Sequence, residues 1–272
     1  MIDILKAVML GIVEGLTEFA PVSSTGHMII FDDMWLKSEQ FLTQQGANTF
    51  KVVIQLGSIL AVVILFWQRF IDMLGLGRRV SEPRAKRLKL THVIVGLLPA
   101  AILGLLFEDY IDEYLFSTRT VLIGLVLGAI LMIAADRFRK KRPETETVDQ
   151  ITYKQALTVG LIQCLSLWPG FSRSGSTISG GVLLGMSHRA ASDFTFIMAV
   201  PIMAGASALS LFKNWEYLSA DALPFFIAGF ISAFVVAYFS IRFFLKLINR
   251  IKLVPFAVYR LLLAAVIYVL FF

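Results

Sequence analysis

Six stretches of this chain are apolar for long enough to cross a lipid bilayer, and that limits the fold more than any other feature. They cover about 50–68, 90–107, 119–136, 194–212, 223–241 and 252–272. At 1.5 Å of rise per residue, helices of this length match a hydrocarbon core of roughly 30 Å. Charged residues make up 16% of the chain and apolar residues 57%; a water-soluble domain holds about 45–50% apolar residues. The formal net charge of +6 does not point to nucleic acid, because the basic residues crowd into short loops beside apolar runs, which is the pattern of membrane topology. The single cysteine, Cys164, excludes an internal disulfide and a Cys-rich metal site. Residues 1–20 lack a basic leader and carry Asp3, Glu14 and Glu18 inside their apolar run, so no cleavable signal peptide is expected.

Two further apolar stretches, about 4–31 and 155–186, are interrupted by Pro, Gly and Ser and make poor single spans. The loops fix how they must run. Residues 69–89 hold Arg69, Arg78, Arg79, Arg84, Lys86, Arg87 and Lys89, and residues 137–154 hold Arg137, Arg139, Lys140, Lys141, Arg142 and Lys154. Both loops are expected on the cytoplasmic side. The intervening loop with Glu108, Asp109, Asp112 and Glu113 should face outward, as can the nearly neutral 213–222 loop. Arg242, Lys246, Arg250 and Lys252 then return to the inside. This alternation works with six crossings only if each interrupted stretch enters and leaves on the same side, which predicts two re-entrant helical hairpins.

The interrupted stretches also match each other. At a constant offset of 149 residues, Gly11-Ile-Val-Glu14 faces Gly160-Leu-Ile-Gln163, and Ser23-Ser-Thr-Gly26 faces Ser172-Arg-Ser-Gly175. Each is followed by three spans, the first of which opens with a Thr-Phe pair, Thr49-Phe50 or Thr195-Phe196. The expected architecture is an all-α integral membrane protein of two repeats, 1–149 and 150–272, each a hairpin plus three transmembrane helices. Three crossings separate the hairpins, so the repeat is inverted and the broken helices should meet near the bilayer midplane.

The chemistry concentrates in the hairpins. Glu14 and Glu18 lie one helical turn apart in an apolar helix, where ionisable groups are functional candidates. Pro21 ends that helix. Ser23, Ser24 and Thr25 can then cap the next half-helix, whose free N–H groups form an anion site. The second hairpin repeats this grammar as Pro169-Gly-Phe-Ser172-Arg173-Ser174-Gly-Ser-Thr177. Arg173 has no carboxylate within four residues, and phosphate suits a buried guanidinium. Two glutamates beside a phosphate repel it unless they hold protons or a divalent cation such as Mg²⁺ or Ca²⁺. His27 adds a group that titrates near neutrality. Gln55 and Gln163 read as members of the polar network.

These motifs resemble those of the bacterial undecaprenyl-diphosphate phosphatases associated with bacitracin resistance. The likeness covers Glu14-Gly-Leu-Thr-Glu18, Pro21-Val-Ser-Ser-Thr-Gly-His27, Val53-Ile-Gln-Leu-Gly-Ser58 and Pro169-Gly-Phe-Ser-Arg-Ser-Gly-Ser-Thr177, and extends over essentially the whole chain. It implies removal of the terminal phosphate from a C55 lipid diphosphate, recycling the carrier for peptidoglycan synthesis. It also implies a multi-pass protein of the bacterial cytoplasmic membrane, a pocket open to the periplasm and a divalent cation. Family roles fall on Glu14, Glu18, Ser23, Ser24, Thr25, His27, Ser172, Arg173, Ser174 and Thr177. The expected catalytic set is Glu18, Ser24, His27 and Arg173. Ser23, Thr25, Ser172, Ser174, Thr177 and Gln55 bind substrate, and Glu14 with Glu18 holds the metal. Ser24 is the expected nucleophile, with His27 or Glu18 taking its proton; an activated water is the alternative. The partners are the polyprenyl diphosphate and membrane lipids, and a homodimer is compatible with the sequence. Inverted repeats with broken helices also build transporters, so movement of a lipid phosphate or other anion is the rival function.

Overall fold

A computed structural model describes residues 2–76, 87–115, 117–213 and 222–272. Arg78, Arg79, Arg84, Lys86 and nearly all of the 213–222 loop lie outside the described residues, as do the side chains of Glu108 and Asp112. Among the described residues the protein is helical, with one isolated bridge between Thr145 and Met186. The α-helices run in order as α1 Ile2–Thr17, α2 Ser24–Met28, α3 Glu39–Leu65, α4 Trp67–Met73, α5 Leu90–Leu106, α6 Glu108–Tyr114, α7 Thr118–Phe138, α8 Tyr153–Gln163, α9 Arg173–Leu183, α10 His188–Lys213, α11 Leu223–Ile251 and α12 Val254–Phe271. A π-helical segment, Ile29–Leu36, extends α2, and a 3₁₀ turn, Cys164–Leu167, extends α8.

Five helices are long and apolar enough to cross a membrane: the Gly46–Leu65 part of α3, together with α7, α10, α11 and α12. α5 is equally apolar but has 17 residues, about 26 Å at 1.5 Å per residue. The protein is therefore a multi-pass membrane protein. α3 breaks at Thr43, whose φ of 63° leaves helical space; the Thr43 hydroxyl accepts from Gly46 N at 3.3 Å and restarts the helix.

Helices in lipid gain little from the hydrophobic effect and associate through close backbone approach at small residues. α1 crosses α11 in this way. A methyl group at Gly11 would lie 2.4 Å from Gly229 O, and one at Gly15 would lie 2.7 Å from Ala233 O. α8 crosses α5 with the same device, since a methyl at Gly160 would meet Gly96 O at 2.2 Å. Gly11 and Gly160 are 149 residues apart, the offset that aligns the two interrupted stretches, and each brings its helix onto the backbone of another.

Asp136 ties the far end of the bundle together. One carboxylate oxygen meets His188 Nε2 at 2.6 Å, and the other accepts from Leu253 N and Val254 N at 2.8 and 2.9 Å, so a single side chain joins α7, α10 and the start of α12.

Candidate active site

The two breaks are built alike. α1 stops at Thr17, and after a turn α2 begins behind Ser23, whose φ of 72° and ψ of 101° are outside helical space. α8 passes through its 3₁₀ turn, and α9 begins behind Ser172, with φ 74° and ψ 118°. Each serine hydroxyl accepts from the backbone N–H three residues on, Gly26 N at 3.4 Å and Gly175 N at 3.1 Å. A left-handed φ on a residue with a side chain costs on the order of 1–3 kcal/mol and persists where surrounding contacts over-determine it. Here the strain turns the chain sharply enough to start a new helix within the protein interior.

The turns meet tip to tip. Ser174 Oγ donates to Ala20 O at 3.1 Å, and the Arg173 guanidinium lies 5.5 Å from the centroid of the Phe19 ring. Glu18 is the hub between them. Its Oε1 accepts from Arg173 Nη2 at 3.1 Å, across 155 residues of chain, and its Oε2 accepts from the Ser24 hydroxyl at 2.7 Å. Both partners of the ion pair are largely shielded, with side chains 9% and 14% exposed. Sequence alone suggested phosphate as the partner of Arg173; the folded chain supplies a carboxylate, and Nη1 reaches Thr195 O at 3.4 Å. A guanidinium has five N–H donors, so these contacts leave donors for an incoming anion.

A cavity of about 340 Å³ opens beside Ser24. Ser24, Thr25 and Glu14 line one side, and Asn48, Lys51 and Gln55, on one face of α3, line another. Ser117 and Thr118, at the start of α7, complete its polar rim. Glu18 and Arg173 are not on its wall; Ser24 connects the cavity to them. Lys51 Nζ binds Asp32 at 2.8 Å, and Asp32 in turn accepts from Ser38 N and Oγ.

Glu14 is 2% exposed, and its Oε1 has no hydrogen-bond partner. Glu18 follows one helical turn later, its backbone N–H donating to Glu14 O at 3.0 Å. Two carboxyl groups this close in a low-dielectric site repel strongly unless a proton or a cation lies between them. An orphaned carboxylate oxygen, a second carboxylate and the nearby Ser24 and Gln55 form the hard oxygen donor set that Mg²⁺ or Ca²⁺ prefers. No cluster of three or more His, Cys, Asp or Glu side chains occurs among the described residues, so substrate or water oxygens would complete any coordination sphere.

His27 is arranged differently from a general base for Ser24. Nδ1 lies 2.7 Å from Ser23 O and Nε2 lies 2.7 Å from the Tyr259 hydroxyl, and the two rings stack. A carbonyl can only accept, so Nδ1 carries the proton and the Nε2 lone pair takes the tyrosine hydrogen. Neither nitrogen meets Ser24. Of the two bases the sequence offered, Glu18 is the one in contact.

The other expected site residues divide. Ser23, Ser24, Thr25, Ser172, Ser174 and Arg173 come together at the meeting turns, and Gln55 lines the cavity. Thr177 is fully buried and donates to Arg173 O at 2.8 Å while accepting from Thr195 at 2.8 Å; it holds the helix start behind Arg173. Gln163, the equivalent of Glu14, is buried with an unpartnered Nε2 and does not line the cavity. Sequence reasoning missed Lys51, Tyr259 and Arg260. Arg260 was detectable as a lone charge inside an apolar run. The Tyr259 contact to His27 had no local signal.

Fold and site together define a polytopic membrane protein with an ionisable serine–glutamate–arginine centre at the junction of two broken helices. A sequence profile described as Bacitracin resistance protein BacA matches residues 7–266, and the chain belongs to that family. The undecaprenyl-diphosphatase of Geobacillus sp. (strain WCH70) is 75% identical over 272 residues, 100% of this chain and 99% of that protein. The undecaprenyl-diphosphatase of Bacillus subtilis (strain 168) is 64% identical over 267 residues, 97% of each chain.

Proposed function

We infer that this chain hydrolyses undecaprenyl diphosphate to undecaprenyl phosphate and inorganic phosphate, recycling the carrier lipid for peptidoglycan synthesis and thereby conferring bacitracin resistance. One contact carries the mechanism: the Ser24 hydroxyl donates to Glu18 at 2.7 Å while Glu18 also holds Arg173.

The terminal phosphate lies against Ser24, Thr25 and the first turn of α2, where free backbone N–H groups attract the anion. Arg173 offers its remaining donors from the other turn, and Ser172 and Ser174 hold that turn in place. Glu18 takes the Ser24 proton as Ser24 Oγ attacks the terminal phosphorus. The anhydride P–O bond breaks, the lipid monophosphate leaves with the proton held by Glu18, and water, deprotonated by Glu18, then cleaves the phosphoserine as the proton returns to Ser24 Oγ. Charge on the transferred phosphoryl oxygens is stabilised by Arg173 and the helix N-terminus. His27, fixed between Ser23 and Tyr259, orients the turn that carries Ser24. Glu14 and Glu18 would hold a divalent cation, whose contribution when bound is to neutralise phosphate charge.

In the membrane, α5 serves as a sixth span and the two broken stretches as re-entrant hairpins of an inverted repeat, 1–149 and 150–272. The matching strained serines, the matching cap bonds and the reciprocal crossings of α1 with α11 and α8 with α5 support this reading. The basic loops then lie in the cytoplasm. The cavity, rimmed by Ser117 and Thr118 at the start of α7, opens to the periplasmic face of the bacterial cytoplasmic membrane.

Phosphate release from C55 diphosphate by the purified chain in detergent tests the activity without any compartment, which also separates hydrolysis from transport. Release should stop with EDTA and return with Mg²⁺ or Ca²⁺. No release under any of these conditions would refute the enzyme reading, and undiminished release in EDTA would refute the cation.

A further inference from the structure

Arg260 is the largest side chain that the described residues bury completely, at 0% exposure, and the mechanism above leaves it without a task. It sits in the apolar helix α12. No carboxylate pairs with it among the described residues, and its Nε has no partner. An intramembrane arginine without a counter-ion is costly and marks a functional position. Its surroundings are shaped to receive it. A methyl at Gly128 would lie 2.3 Å from Nη2, and one at Gly175 would lie 2.9 Å from Nη1.

Nη1 of Arg260 donates to Met132 Sδ at 3.6 Å, and Nη2 is aimed at backbone. Nη2 donates to Gly170 O at 2.9 Å and to Gly124 O at 3.2 Å. Gly170 belongs to the strained turn just before Ser172 and Arg173, and Gly175 lies in the first turn of α9. Arg260 thus joins the second hairpin to α7 from behind. Its neighbour Tyr259 points about 100° around the same helix and binds His27 Nε2 at 2.7 Å, which fixes the first hairpin. Two consecutive residues of one helix hold both hairpins.

We propose that Tyr259 and Arg260 are positioning residues: a clamp on α12 that sets the two hairpins against each other so that Ser24, Glu18 and Arg173 converge on one phosphate. The proposal rests on the hydrolase reading above. The buried charge of Arg260 also adds to the positive end of α9, the helix that carries Arg173, so the clamp acts by geometry and by field.

The test uses the full chain in detergent, with Arg260→Met, Arg260→Lys and Tyr259→Phe compared by initial rates of phosphate release over a range of C55 diphosphate and by thermal unfolding. Small misplacement of a reacting group costs roughly 100-fold in rate. Arg260→Met is therefore expected to lower kcat about 100-fold with KM within about threefold of the parent. Arg260→Lys, which keeps the charge and a donor, should recover roughly tenfold of that loss. Tyr259→Phe should lower kcat by roughly tenfold with KM preserved. A kcat for Arg260→Met within threefold of the parent overturns the clamp. So does a loss confined to KM, or equal losses in the Lys and Met variants that track the unfolded fraction. Should Arg260→Met fail to fold, Tyr259→Phe carries the test, since phenylalanine fills the same space, and parent-like kcat there also overturns it. A parent that releases no phosphate sinks the hydrolase reading instead, which keeps the two failures distinct.

Discussion

Replacement of Glu18 by glutamine would separate what this carboxylate does for binding from what it does for turnover. Glutamine keeps the size and one acceptor oxygen, but it cannot take the Ser24 proton, and it presents an NH₂ group to either Ser24 or Arg173. The native contacts are two charge-assisted hydrogen bonds, 2.7 Å to Ser24 and 3.1 Å to Arg173. Losing one of them costs about 1.5–3 kcal/mol of stability, so detergent-solubilised protein should unfold a few degrees lower. Turnover should suffer more, because a positioned general base contributes roughly 10²- to 10⁴-fold. Substrate affinity should move the other way. A full negative charge about 5 Å from a phosphate repels it by about 3 kcal/mol at an effective dielectric of about 20, and Glu18→Gln removes that repulsion. At saturating Mg²⁺, where a weakened cation site is still filled, the expected pattern is a kcat lower by at least about 100-fold, with KM unchanged or reduced. Phosphate-release kinetics give both parameters, and inhibition by inorganic phosphate gives an independent measure of anion affinity. A variant with parent kcat, or one whose defect lies wholly in KM, would show that Glu18 is not the base and that its bond to Ser24 is structural.

Ser24→Ala should abolish turnover by roughly a thousandfold or more; acid-quench trapping should find phosphoserine in the parent and none in the variant, and its absence from the parent would place attack with water. Gly11→Ala would put a methyl 2.0 Å from Ser232 Oγ and 2.4 Å from Gly229 O. That overpacking costs about 1–3 kcal/mol, read as a drop in thermal midpoint. Gly160→Ala, with a methyl 2.2 Å from Gly96 O, should show a drop of similar size; an indifferent Gly160→Ala beside a damaging Gly11→Ala would argue against equivalent halves.

Much of this molecule could be read from its sequence. All six apolar runs are helices in the structure, although one, α5, is shorter than the other five. The 149-residue register aligned Ser23 with Ser172 as helix starts, and both have the same left-handed φ and the same capping bond. The reason is that helix breaks, caps and hydropathy depend on residues within about one helical turn, so a short stretch contains its own instructions. Ser23, Ser24 and Ser172 were found on that basis.

What tertiary structure alone decided is which of these polar groups touch. Glu18 reaches Ser24 across 6 residues but Arg173 across 155. His27, which looked like a base for its neighbour Ser24, spends both nitrogens on Ser23 and on Tyr259, 232 residues away. Arg260 read as part of an apolar span, yet it grips the turn beside Arg173. Such pairings follow from where α1 crosses α11 and α8 crosses α5, and those crossings are set by sub-ångström backbone fit at glycines that hydropathy does not register. Local pattern placed the ionisable groups at the breaks of apolar helices; helix packing chose their partners, and with them the chemistry.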